Sequence, residues 1–299
     1  MNYCKIKILL CAFLSLFLFG QCYSIENVKS DFLVLTVPKS GTHLIMKMLH
    51  MLTAKTHANN YALFNPITAF NFREDDPSIH ISSELVERAF LIWKRSNVFP
   101  IFHFNMAEDF HLFWLNHPNY VKIIQIRDLR DVYVSCVFHQ LENIEKEIGP
   151  CTFDQKLLYL ICLDNKPTKN NIIRLKKNAE IAVEWMQDPE TIVCRFEHLA
   201  GEKGGGSLTA QREQIITIAN SLNINLNSAQ LNWITNNLFG TETGPPLLST
   251  YREGKIGSWR NYFTDEHKRA FEEHLGEIQL NLGYGLFDDE NENLAIKKE

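Results

Sequence analysis

Asp31-Phe32-Leu33-Val34-Leu35-Thr36-Val37, followed at once by Pro38-Lys39-Ser40-Gly41-Thr42, is the stretch on which the reading of this chain turns. The first seven residues are a continuous β-prone apolar run, short enough for a buried parallel strand, and Pro38 ends it. Beyond the loop, Leu44, Ile45, Met48, Leu49 and Leu52 recur at helical spacing. The unit is strand, tight loop, helix. A loop of this kind exposes backbone N–H groups at the positive end of the helix dipole, which is an anion site, and here it also carries a lysine and two hydroxyls. A Pro/Gly turn with a solvated lysine is the plainer alternative for the segment taken alone. The ATPase P-loop pattern does not fit: it needs a second glycine in the loop upstream of Gly41, which is absent, and a lysine immediately before the magnesium-binding Ser or Thr, whereas Lys39 lies at the start of the loop. A magnesium-dependent kinase is therefore disfavoured.

Working outward, Val98 to Phe104, Tyr120 to Ile126 and Thr191 to Arg195 read as further buried strands. Helices are expected near Ser82 to Arg95, from Asp128 to about Lys146, and over Thr152 to Cys162, Asn170 to Gln187, Leu208 to Leu222 and Ser228 to Leu238. A last helix runs from about Thr264 to just before Gly283. The loop Gly201 to Ser207, with three consecutive glycines, is expected to be mobile or to wrap a ligand. The tail from Asp288 to Glu299 is polar. Strands alternating with helices imply parallel βαβ units. The class is α/β, a central parallel sheet with helices on both faces, in one domain from about residue 25 to residue 299.

The 299 residues are 45% hydrophobic and 22% charged, which excludes disorder, a collagen-like repeat and a small disulfide scaffold. The net charge is −5 and no basic tract occurs, so nucleic acid is not an expected partner. Residues 1–24 read as a signal peptide or short signal-anchor: Lys5 and Lys7 precede the apolar run Ile8 to Phe19, and Cys22 and Ser24 suit a cleavage site. Twelve residues are short for a membrane span, so contact with a membrane is expected only through this leader if it stays uncleaved. Without Lys5 and Lys7, 28 basic residues face 35 acidic ones and the mature charge is −7. Any anionic ligand must then be held by a local site. Cys136, Cys151, Cys162 and Cys194 remain outside the leader with no metal-site spacing, so no metal is expected, and one disulfide or buried free thiols fit equally.

Val37-Pro38-Lys39-Ser40-Gly41-Thr42 resembles the 5′-phosphosulfate loop of the sulfotransferases that use 3′-phosphoadenosine 5′-phosphosulfate (PAPS). Ile123 to Ser135, IIQIRDLRDVYVS, is similar to that family's 3′-phosphate motif, with Arg127 at a strand end and Ser135 eight residues on. A guanidinium at a strand edge suits bidentate phosphate binding, although an ion pair with Asp128 or Asp131 is the alternative use of Arg127. Tyr251 to Thr264, YREGKIGSWRNYFT, is similar to the family's RKGxxGxWxxxFT segment, and Trp259 and Phe263 would pin its glycines by packing. An ordinary Gly-rich turn before a helix capped by Thr264 is the bland reading of that segment. Three motifs in the family's order cover nearly the whole mature chain.

The resemblance implies a three-layer P-loop-like fold and transfer of the sulfuryl group from PAPS to a hydroxyl or amine of a small-molecule or glycan acceptor. His103, at the strand end between the first two motifs, is the implied general base, with Lys39 and Ser135 as the other catalytic residues. The donor would be held by Lys39, Ser40, Gly41, Thr42, His43, Arg127, Ser135, Phe196, Arg252, Glu253 and Gly254, with no metal. A catalytically weak member binding PAPS or its product nucleotide (PAP) is the rival reading.

The chain departs from the family where Ile101 replaces a lysine near the base, Leu44 a stacking aromatic, and Glu253 a lysine beside the phosphate. The C-terminal dimer signature is incomplete, with Asp265 after Thr264 and Arg269 where Glu is usual, which leaves the oligomeric state open. The leader points to the secretory pathway or export, where PAPS must be imported from the cytosol; a cytoplasmic or membrane-attached form is the alternative. The stretch Asn59 to His80 carries no readable acceptor specificity.

Overall fold

The computed structural model describes residues 31–53, 56–58, 98–103, 120–163, 168–170, 172–239 and 254–287. Five strands, β1 (Phe32–Thr36), β2 (Thr56–Ala58), β3 (Val98–His103), β4 (Val121–Ile126) and β5 (Ile192–Arg195), form one sheet in the order β2-β3-β1-β4-β5. Every neighbouring pair is parallel, and Val34 of β1 lies in register with Ile101 on one side and Ile123 on the other. The apolar run that opened the reading is thus the central strand. Between and after the strands come α1 (Thr42–Thr53), α2 (Leu129–His139), α3 (Leu141–Ile148), α4 (Phe153–Cys162), α5 (Leu175–Met186), α6 (Phe196–Leu199), α7 (Leu208–Ser221), α8 (Ser228–Leu238) and α9 (Asp265–Asn281).

The two-residue period of a strand sorts β1 into two cores. Leu33, Leu35 and Val37 pack on one face with α2, α4, α5 and α9, while Phe32 and Val34 pack on the other with α1, α7 and α8. β4 divides the same way, Ile124 and Ile126 joining the first core and Ile123 the second. All of these side chains are 2% exposed or less, and each such burial contributes about 1.5–3 kcal/mol before chain entropy is charged against it. The result is a three-layer α/β sandwich. Cys136 lies in the first core and Cys194 in the second, with the sheet between them, and all four described cysteines are free thiols.

Strand and helix limits fall close to the expected ones, with instructive exceptions. The helix expected from Asp128 to Lys146 is two helices, broken at Gln140 (φ −118°, ψ 23°), whose side-chain oxygen accepts from Ile173 N–H at 3.0 Å. The helix expected from Asn170 begins at Leu175, because Glu147 and Thr168 side chains take the N–H groups of Lys169, Asn170 and Ile172. β2 and α6 had no counterpart in the sequence reading. The loop expected to be mobile or ligand-wrapping is instead tied down: Gly206 N–H donates to Gly201 C=O at 2.7 Å, and a Cβ on Gly206 would lie 2.5 Å from the Glu197 carbonyl oxygen. Gly204 and Gly206 serve close packing, while Gly205 has open space around it and takes the left-handed φ of 91°. The leader, the Ser82 to Arg95 helix, the Asn59 to His80 stretch and the tail from Asp288 lie outside the described residues. Among the described residues no helix is long and apolar enough to cross a membrane.

Candidate functional site

Parallel strands end on one edge, and that edge collects most of the residues singled out from the sequence. The loop Pro38 to Gly41 leaves the end of β1, Arg127 leaves β4, and Phe196 follows β5. The backbone of His103, the last residue of β3, lies opposite Thr36.

The loop after β1 is built for close approach. Lys39 and Gly41 both adopt the left-handed region, at φ 68° and 99°. For a lysine that conformation costs about 1 kcal/mol, a strain of the kind that gathers at functional sites. The fold holds it by a turn, Ser40 N–H to Val37 C=O at 3.1 Å, and by reciprocal bonds with β4. Ser40 Oγ donates to Gln125 C=O at 3.1 Å, and Gln125 Nε2 donates to Ser40 C=O at 3.0 Å. Ser40 is fully buried, so its hydroxyl supports the loop. Thr42 Oγ1 donates to Thr36 Oγ1 at 3.1 Å. Among the described residues no backbone carbonyl accepts from the N–H groups of Gly41, Thr42 or His43, which leaves three donors at the N-terminus of α1.

Positive charge is concentrated here. Burial holds the Lys39 ammonium below its usual range, and the Arg127 guanidinium pushes in the same direction against an opposing contribution from Cys136. Burial and then the nearby Lys39 charge lower the imidazoles of His43 and His139. An incoming anion would relieve all three groups. Ser135 is half-buried on α2, two helical turns beyond Arg127, and no hydrogen bond joins it to Lys39 among the described residues.

Arg127 is buried and held on three sides. Its Nη2 donates to Asp131 Oδ2 at 3.2 Å and to Lys255 C=O at 2.8 Å, and its guanidinium lies 4.1 Å from the centre of the Phe196 ring. The ion pair that the sequence left open is therefore made, with Asp131; Asp128 pairs with Arg130 instead. Yet Arg127 Nε is buried with no partner among the described residues, and such an orphan donor suits an anion held at this edge. Phe196 is 4% exposed, and a Cβ on Gly41 would lie 2.5 Å from its ring. Read from the sequence as an adenine-side aromatic, it is in the fold the shelf on which both Gly41 and Arg127 rest.

The third motif reaches the same place. Gly254 and Gly257 have positive φ, Ile256 N–H donates to Gly204 C=O at 3.0 Å, and Trp259 packs against Phe263 and between Arg130 and Arg260. Thr264 caps α9 in a capping box with His267. Arg252 and Glu253 lie outside the described residues. Sequence reasoning passed over Gln125 and Glu197. The last is a buried carboxylate accepting from Asp128 N–H and Tyr284 Oη; burial pushes its pKa up, and those two hydrogen bonds pull it back. A polar residue inside an apolar strand, such as Gln125, was the available signal. Among the described residues no cluster of His, Cys, Asp or Glu could hold a metal ion.

Fold and site together define an α/β protein of P-loop-like architecture with a cationic edge. Residues 29–162 match the family model of the sulfotransferase domain, a span that includes the β1 loop, β3 and the whole segment from Arg127 to Ser135. Mouse sulfotransferase SULT7A1 complexed with PAP has a similar structure, at a TM-score of 0.50 and 15% identity, covering 87% of this chain and 90% of that one. At that identity the likeness speaks for the fold. No curated protein matches the sequence.

Proposed function

We propose that this protein is a PAPS-dependent sulfotransferase acting on a hydroxyl or amine of a small-molecule or glycan acceptor. The observation that carries the reading is the convergence of Lys39, the free N–H groups of α1 and the unpartnered Arg127 Nε on one edge of the sheet, where the loop after Gly254 also arrives. PAPS, when bound, supplies the sulfuryl group and two phosphate groups for the site to hold. Lys39, Gly41, Thr42 and His43 would take the 5′ end, with Ser40 keeping the loop in shape. Arg127, Ser135 and the segment Arg252, Glu253 and Gly254 would take the 3′-phosphate, with Phe196 beneath. Lys39 would stabilise charge on the leaving phosphate oxygen, a preorganised electrostatic role. His103 would accept the acceptor's proton as attack proceeds. No residue in this scheme requires a metal.

Labelled PAPS and a panel of phenols, alcohols and amines test the reading. His103→Ala should lose at least about a hundredfold in turnover, within the range a positioned acid–base group contributes, while PAP binds as before. Unchanged turnover would remove His103 from the mechanism. PAP binding by the parent with no turnover on any acceptor would favour the nucleotide-binding rival.

For location we propose the secretory pathway or export, on the strength of the Lys5, Lys7 and Ile8 to Phe19 pattern. N-terminal sequencing of the natural protein should begin near Ile25, and a chain still beginning at Met1 would favour the cytoplasmic or membrane-attached form.

A further inference from the structure

Asp131 has no role in the scheme above, yet it sits at its most connected point. Its Oδ2 accepts from Gly257 N–H at 2.8 Å and Arg127 Nη2 at 3.2 Å, and its Oδ1 accepts from Trp259 N–H at 2.9 Å and Ser258 Oγ at 3.1 Å. A carboxylate has about four lone-pair sites, and all four are filled. The residue is 1% exposed. It stands in the first turn of α2, where the helix dipole favours an acid.

A buried negative charge beside an anion-binding arginine is adverse by itself, since it competes for the guanidinium and repels the ligand. The competition here is confined. Asp131 engages only Nη2 of Arg127, while Nε is left without a partner among the described residues. Three of its four bonds go to the backbone and side chain of residues 257–259, more than a hundred positions along the chain. Through Lys255 C=O, that same segment accepts from Arg127. Arginine, carboxylate and loop form one closed circuit.

We propose that Asp131 is a positioning residue that locks the Arg127 guanidinium and the 254–259 loop in one mutual arrangement, and that this lock is what lets the site discriminate a 3′-phosphorylated adenine nucleotide from one without that group. The proposal rests on the donor reading given above. Asp131 itself touches no ligand: its lone pairs are spent on the protein. Asp131→Asn places an N–H₂ where two donors, Gly257 N–H and Arg127 Nη2, already point, so both lose their acceptor while the bonds at the other oxygen can remain.

The test is calorimetric titration with PAP and with adenosine 5′-monophosphate, which lacks the 3′-phosphate. The parent should prefer PAP. Asp131→Asn should cut that preference at least about tenfold, the size expected for hydrogen bonds to a charged group, while affinity for the monophosphate changes less than about twofold. Ser258→Ala, which removes one of the four bonds and leaves the charge in place, should cut the preference in the same direction by about threefold, and it decides the matter alone if Asp131→Asn does not fold. An unchanged preference, or equal weakening of both nucleotides, would overturn the proposal, because a residue that only stabilises the fold weakens both alike. A parent that binds neither nucleotide, or binds both equally, would instead overturn the donor reading, and the lock with it.

Discussion

The two glycine loops at the sheet edge look alike as sequence and are held by different means. Pro38 to Gly41 is fixed by its immediate neighbours: one turn bond, two bonds to Gln125 on the adjacent strand, and a glycine that no side chain can replace because the Phe196 ring fills the space. Gly254 to Trp259 is fixed from far away, by Asp131, by Arg127 and by the carbonyl of Gly204. The first loop is a local device in the backbone. The second is a tertiary device, and it can be loosened without touching its own sequence.

The largest effect should come from breaking the first loop at Gly41. Gly41→Ala would place a Cβ 2.5 Å from Phe196 Cδ2 at a φ of 99°. Strained backbone and overpacking together should cost roughly 2–5 kcal/mol of stability in urea unfolding. Part of that cost is the ring, so in a double-mutant cycle with Phe196→Leu the two changes should be non-additive by at least about 1 kcal/mol. Additive losses would mean that backbone strain alone explains the glycine. The second loop should respond differently: Asp131→Asn leaves the loop's sequence intact, and its effect should appear in nucleotide discrimination.

The same contrast explains what the sequence could show. The continuous apolar run Phe32 to Val37 and the helical spacing from Leu44 to Leu52 mark each element within its own length, so strand, loop and helix were legible. The N-cap Thr264 was legible for the same reason, acting within three residues. The break at Gln140 was not, because its cause is a bond to Ile173, across an otherwise continuous helical pattern. Nor were the bonds of Asp131 to residues 257–259: the sequence offers it only as an ion-pair partner of Arg127 until the chain has folded back 126 positions to meet it. The glycines at 204–206 were legible as special but not in their reasons: flexibility, a left-handed φ and close packing select the same residue, and only the fold shows Ala200 Cβ against Gly204, the Glu197 carbonyl against Gly206, and a φ of 91° with open space at Gly205.

The smallest effect should be purely electrostatic and separates the loops most cleanly. Lys39 lies within reach of both His43 on α1 and His139 on α2, and burial followed by its positive charge holds both imidazoles below their usual range. Lys39→Met removes the charge and keeps most of the bulk. Both histidines should then titrate at higher pH in an NMR pH series, though still below the ordinary value, since burial is the larger cause and is unaltered. The sign follows from which form Lys39 disfavours: it repels the imidazolium, so its loss lets protonation begin at a higher pH. If His43 and His139 do not move, the ammonium is screened from them, and the positive field assigned to the first loop must come from its backbone N–H groups and Arg127 alone.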